Sequence, residues 1–276
     1  MKILDYETEL RVLEETIKRQ ARADSVLRIV EAGCGREWYF KLHGIAHEVT
    51  GIDLDVHALE YRRREKRDLH HGIAGDLRTV ALPAAHFDVV YCSFVLEHIK
   101  GAQQALDNFM NWLKPDGLLI VRVPDVTGVQ TFLARRLPRW CAILYYRSAW
   151  GIKDAGKPGF APYPAYYDDV ISPSGFHAYC ESKNLELVDE FGLGSYSARG
   201  RGPLRHGLAL AARLVSILSG GKIHDRFVDR TFIVRKTPVA PASQPDELAA
   251  REPFLADAGH MTPDVRPSGL QATPGT

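Results

Sequence analysis

The hydrophobic positions change their period several times along the chain. Over residues 6–22, Leu10, Leu13, Ile17 and Ala21 recur near helical spacing with charges between them, predicting an amphipathic helix that Asp24 and Ser25 end. From Val26 onward, short apolar runs alternate with polar stretches. The runs predict strands at 26–31, 48–55, 72–77, 87–94 and 118–124. The stretches between them predict helices at 37–46, 56–67 and 102–113, with a turn at 114–117 (KPDG). FDVVYCSF and LLIVRVP are too continuously apolar for strands with a wet face, as expected of parallel strands covered on both sides. Strands alternating with helices imply right-handed crossovers. Residues 24–124 are therefore expected to form the core of a doubly wound α/β domain.

After Pro124 the pattern breaks. Residues 125–170 are rich in Gly, Pro and aromatics: Phe132, Trp140, Tyr145, Tyr146, Trp150, Phe160, Tyr163, Tyr166 and Tyr167. This stretch is read as a substrate-side insertion. Regular order resumes with a helix at 172–184 that Ser172 can cap, and a strand at 185–192. A helix at 204–219 with Leu204, Leu208, Ala211, Val215 and Leu218 along one face precedes a last strand at 230–236. The domain is thus expected to span 1–236. Residues 237–276 hold seven prolines and no apolar period, and are read as a disordered tail.

Composition narrows the class. A formal charge of +1 argues against a surface given over to nucleic acid. The four cysteines are far apart without CxxC spacing, which suits a reduced cytoplasmic protein and argues against a zinc site. The N-terminus is acidic within ten residues and has no apolar core of a signal peptide. No apolar stretch reaches the ~18 residues of a membrane span.

The chemistry gathers at strand ends. In RIVEAGCGREW, Glu31 ends the first strand of the core, and Gly33 and Gly35 make the turn after it. Two glycines alone often serve only a tight turn. Here Asp53 ends the next strand, and Asp76 ends the third. A carboxylate at Glu31 repels a phosphate but suits an ammonium or sulfonium, and Asp53 can accept from ribose hydroxyls. A dinucleotide fingerprint wants glycine at position 38, where this chain has Trp38. That argues against the rival reading, an NAD-dependent oxidoreductase on a similar sheet. A further rival is a non-catalytic scaffold that retains the fold.

VEAGCG, VTGIDLD, GDLRTVALPAAHFDVVYCSFVLEHI and WLKPDGLLIVRVP, over about 26–124, resemble the class I S-adenosylmethionine-dependent methyltransferases of the type 11 branch. The resemblance implies a mostly parallel seven-stranded sheet with an antiparallel last strand, and S-adenosyl-L-methionine as cofactor. It implies Glu31, Gly33 and Gly35 at the methionine end, and Asp53 and Leu54 at the ribose and adenine. It further implies Asp76 and Leu77 at the adenine and Ser93 beside the methyl. The family often has a third glycine where this chain has Glu37. His98, in LEHI, is the candidate base; its alternative is merely to begin a helix. Metal-using relatives carry Glu-x-x-Glu-His here, and Phe94 in the first acid's place predicts no metal. Tyr166, Tyr167, Asp168 and His177 are further substrate-side candidates.

The acceptor is expected to be a small molecule, a glycan or a lipid-linked intermediate, methylated on oxygen. Residues 131–157 carry six Lys or Arg against Asp154, and 199–226 carry six against Asp225. Basic residues among Trp and Tyr suit a peripheral contact with a membrane, the alternative being a solvated face. No nucleic-acid module is visible.

Overall fold

A computed structural model describes residues 1–149, 151–157, 161–194 and 203–238; the side chains at 145, 149, 203–209 and 211 fall outside the description. The expected tail beyond Pro238 lies outside the described residues. So do Trp150, Phe160, Arg199 and Arg201, and the side chains of Leu204, Arg205, Leu208 and Ala211.

The strands are β1 (Lys2–Leu4), β2 (Leu27–Ala32), β3 (His47–Asp53), β4 (His71–Ala74), β5 (Phe87–Ser93), β6 (Leu113–Pro124), β7 (Glu186–Leu193) and β8 (Asp229–Arg235). They form one sheet in the order β1-β7-β8-β6-β5-β2-β3-β4. β8 lies between β6 and β7 and is antiparallel to both; the other pairs are parallel. The doubly wound sheet with an antiparallel last strand is as expected, but it has eight strands instead of seven. The extra one is β1, three residues paired beside β7 with Lys2 opposite Phe191. A run that short carries no readable alternation. Strand order reverses at β2, which has β3 on one side and β5 on the other, so a crevice opens beyond their carboxyl ends.

The helices are α1 (Tyr6–Lys18), α2 (Val56–Tyr61), α3 (Ala102–Trp112), α4 (Val129–Arg136), α5 (Arg139–Ala149), α6 (Pro173–Ser182) and α7 (Pro203–Leu218). A π-helical turn, Arg62–Lys66, continues α2 and closes at Arg67 in the left-handed region. Successive residues of β2 and β5 serve opposite layers. Val30 and Val90 pack with Phe109, Trp112 and Phe176 on one face of the sheet. Ile29 and Val89 pack with Leu13 and Ile17 on the other. That two-sided burial is why these strands read as unbroken apolar runs. Each fully buried large side chain contributes roughly 1.5–3 kcal/mol.

Four expectations need correction. No helix forms over 37–46. Trp38, Phe40 and Leu42 turn inward at alternate positions while Tyr39, Lys41 and His43 are exposed, which is the period of extended chain. α1 ends at Lys18 instead of near Asp24, and starts at Asp5, whose carboxylate accepts from the Thr8 N–H. KPDG falls within β6, at the register shift between Leu113, opposite Phe87, and Leu118, opposite Val89. The insertion contains α4 and α5, which its irregular composition concealed.

Candidate active site

The glycine turn follows from β2. Gly33 and Gly35 have φ of +72° and +52°, a region that side chains disfavour. A Cβ on Gly33 would lie 2.2 Å from Cγ2 of Val95, whereas a Cβ on Gly35 would meet nothing within 4 Å. The loop backbone is therefore packed on one side and open at Gly35. Asp53 ties the next strand end to this turn. Its Oδ2 accepts from the Gly35 N–H at 2.8 Å and its Oδ1 from the Asp55 N–H at 2.8 Å. Leu54, beside it, is 77% exposed.

Glu31 is buried against an arginine that the sequence reading missed. Arg62, itself fully buried, donates to Glu31 Oε2 at 3.0 Å, to the Cys34 carbonyl at 2.9 Å and to Asp68 Oδ1 at 2.6 Å. Burial pushes the Glu31 carboxyl up, to about 8, while Arg62 pulls it down. In the run RRREK, Arg62 reads like its neighbours on a solvated helix face; only the fold selects it.

Asp76 lies two residues beyond β4. Arg78 grips its carboxylate, with Nη2 at 2.5 Å and Nε at 3.0 and 3.1 Å, and holds it below the usual range. Leu77 is buried in the core, and its carbonyl accepts from Asn108. Ser93 ends β5 with its hydroxyl 3.2 Å from Nη1 of Arg122. Arg122 is buried and pairs with the wholly buried Glu9 of α1, at 2.6 and 3.1 Å. The ring of Phe94 lies 5.0 Å from the Arg122 guanidinium, on a backbone with φ of +55°. Such a non-glycine residue at a strand's end is strained, and costs on the order of 1–3 kcal/mol.

Beyond β5 the chain carries a second buried acid, Glu97, and then His98. Burial pushes Glu97 up to about 8, and its Oε2 has no hydrogen-bond partner among the described residues. Residues 161–168, the end of the insertion, form a strap over this place. The Tyr166 N–H donates to the Glu97 carbonyl at 2.7 Å. Asp168 Oδ2 accepts from the Gly101 and Ala102 N–H groups at 2.5 and 2.9 Å, capping α3. Nδ1 of His98 lies 2.7 Å from the Pro164 carbonyl, and its ring meets Tyr163 edge-on at 5.8 Å. A carbonyl only accepts, so Nδ1 carries the proton and Nε2, 3.9 Å from Glu97 Oε1, has the lone pair. Burial lowers the His98 pKa. The Tyr163 phenol is raised by burial, with Asp55 and Asp53 adding to it.

The fold thus gathers Glu31, Gly33, Gly35, Asp53, Asp76, Ser93 and His98 beyond the carboxyl ends of β2 to β5. Tyr166 and Asp168 belong to the strap, as does Tyr167, whose ring lies beneath the Arg135 guanidinium. His177 instead bonds Glu190 of β7 at 2.8 Å. A pyrophosphate would find no helix N-terminus directly after the glycine turn, because residues 36–46 form no helix.

Residues 30–121 match the family model described as a methyltransferase domain. A malonyl-[acyl-carrier protein] O-methyltransferase of Enterobacter lignolyticus is 30% identical over 95 residues, covering 33% of this chain and 37% of that protein. A trans-aconitate 2-methyltransferase of Rhizobium leguminosarum is 26% identical over 157 residues, 55% and 59% of the two chains. A ubiquinone biosynthesis O-methyltransferase of Glaesserella parasuis is 29% identical over 110 residues, 37% and 47%. The chain spans roughly a third to three fifths of these relatives' lengths. In fold it is similar to the YcgJ protein of Bacillus subtilis, with a TM-score of 0.53 at 15% identity over 85% of this chain and 100% of that one. It is likewise similar to a putative sarcosine dimethylglycine methyltransferase of Galdieria sulphuraria, at 0.52 and 10% over 84% of each.

Proposed function

Residues 30–121 belong to the class I S-adenosylmethionine-dependent methyltransferases, and on that premise we propose that the protein methylates an oxygen of a small, acyl-linked or lipid-linked acceptor, with His98 as general base. The residues fit the cofactor. The backbone at Gly35 faces open space that a Cβ would fill, and the acidic side chains Glu31 and Asp53 stand at the ends of β2 and β3. Glu31 is the proposed partner of the cofactor's ammonium, and Gly33 and Gly35 let its methionine end approach. Asp53 keeps lone pairs for ribose hydroxyls, with Leu54 alongside. Asp76 and Leu77 flank the adenine, and Ser93 stands beside the methyl.

The cofactor supplies a methyl group on a sulfonium, whose departure leaves a neutral thioether and needs no acid. What the protein must add is alignment and removal of the acceptor's proton. The observation that carries the assignment is the tautomer of His98. Its donor is engaged by Pro164, so Nε2 of the neutral ring is an acceptor, and burial lowers the ring's pKa. The acceptor's oxygen gains the methyl as its proton passes to Nε2. Two of the relatives are named as O-methyltransferases, and the third as acting on trans-aconitate, which supports an oxygen acceptor.

The test is incubation of a metabolite and lipid extract with the protein and methyl-labelled cofactor, followed by mass spectrometry. The expected product is an O-methyl species that His98→Ala does not form. Cofactor binding without any labelled product would favour a scaffold, and a labelled product formed equally by the variant would remove His98 from the reaction.

A further inference from the structure

The accessory helices turn apolar side chains outward. On α7, Leu210, Leu214, Ile217 and Leu218 are exposed, Leu218 at 85%, and their spacing makes one stripe. Ala212, Val215 and Ser216, on the opposite face, are partly covered. A surface helix ordinarily does the reverse. The stripe is not the one expected from the sequence, since Val215 turns inward. Leu133 and Leu137 at the end of α4, and Trp140 and Leu144 on α5, continue the theme, with Trp140 65% exposed. α4 packs against α7, and the Val129 N–H donates to the His224 carbonyl in the loop after α7.

Charge sorts the same way. Residues 129–149 hold four arginines and no acid, and residues 203–222 hold Arg205, Arg213 and Lys222 and no acid, in a chain of net charge +1. Arg135, Arg136, Arg139, Arg147, Arg213 and Lys222 are all exposed. Leucines at helical spacing, an exposed tryptophan and cations without acids match the headgroup and acyl boundary of a bilayer. We propose that α4, α5 and α7 form a surface that docks on an anionic lipid membrane. None of the described helices is long and apolar enough to cross it, so the helices lie in its plane. The surface adjoins the strap: Arg135 lies over the Tyr167 ring at 5.5 Å, and Arg139 Nη2 is 3.5 Å from the Pro162 carbonyl. Resting on the methyltransferase reading, this puts the reaction centre beside the bilayer and favours an amphiphilic acceptor.

The experiment is co-sedimentation of the full chain with vesicles of phosphatidylcholine alone, or with a quarter phosphatidylglycerol, at low and high salt. Sedimentation is expected with the anionic vesicles at low salt and is lost at high salt. Arg136→Glu and Arg213→Glu should each weaken it about 30-fold, since each reversal replaces an attraction of about 1 kcal/mol by a similar repulsion. Leu214→Ser with Ile217→Ser should abolish it while thermal melting stays that of the parent, because both side chains are exposed. No sedimentation with anionic vesicles at low salt overturns the proposal. So does binding that none of these substitutions weakens. Self-association abolished by the same substitutions, without vesicle binding, would instead assign the surface to a second copy. If S-adenosylmethionine fails to bind, the methyltransferase reading falls and the vesicle result stands.

Discussion

Replacing Glu97 by Gln should stabilise the protein at alkaline pH. The carboxyl is buried, lacks a partner for Oε2, and is raised to about 8 from an ordinary 4.5. The folded state therefore holds a proton that the unfolded chain releases, and stability falls as pH rises from 4.5 toward 8. At 1.36 kcal/mol per pH unit the window amounts to about 5 kcal/mol, of which about 4 kcal/mol lies between pH 5 and 9. A glutamine of the same shape does not titrate. Urea unfolding of parent and E97Q at both pH values measures the double difference, in which Glu31 and every other titrating group shared by the two proteins cancels. The advantage of E97Q over the parent should grow by about 4 kcal/mol from pH 5 to pH 9. Parallel pH dependences for the two proteins would show that Glu97 is ionised in the fold, with a partner or water that this geometry does not provide.

Asp53→Ala should weaken S-adenosylmethionine binding by roughly 1.5–3 kcal/mol in calorimetry, the range for hydrogen bonds to a charged group; unchanged affinity in a folded variant would remove Asp53 from the site. His98→Ala should lower kcat by roughly 10²–10⁴ with cofactor affinity retained. In the parent, kcat/KM should fall on the acid side only as pH drops through a value below the ordinary 6.5 of histidine, and a limb above 6.5 would contradict the burial of the ring. Arg62→Met should cost about 3–5 kcal/mol in urea unfolding, because it strands a buried carboxyl and a carbonyl; a loss within experimental error would mean the pair contributes nothing. Deleting residues 239–276 should leave cofactor affinity and melting temperature nearly unchanged, and a drop of many degrees would show that the segment packs on the domain.

What could be read from the chain was set by how strongly burial is written into side-chain period. β2, β5 and β6 are covered on both faces, so their apolar runs are continuous and their positions follow directly. Residues 37–46 failed because Trp38, Phe40 and Leu42 repeat every two residues within a stretch too short and too mixed to separate from a helix. The candidate site divides along the same line. Glycines and acids at strand ends are visible as types in order, and the fold brings Glu31, Gly33, Gly35 and Asp53 to neighbouring strand ends. Arg62, Glu9 and Arg122 were illegible, because a charged residue is ordinarily exposed and only partners far away in sequence, such as Glu9 for Arg122, show that it is not. The strap was hidden for another reason. Pro164, Tyr166 and Asp168 act through backbone groups and one cap, which leave no periodic trace.

The threefold grip of Arg62 has a dynamic consequence. Its guanidinium holds the end of β2, the glycine turn and the loop at Asp68 at once. Each of the three gives up a bond to the same buried guanidinium on opening, so they are expected to open as one unit of local unfolding. Amide hydrogens at Cys34 and around Asp68 should exchange with a shared opening free energy, although the two are 34 positions apart in the sequence. By reciprocity, a ligand that settles only on the glycine turn protects the Asp68 loop as well. Slowed exchange there would report occupancy of the cleft from a place the ligand never touches.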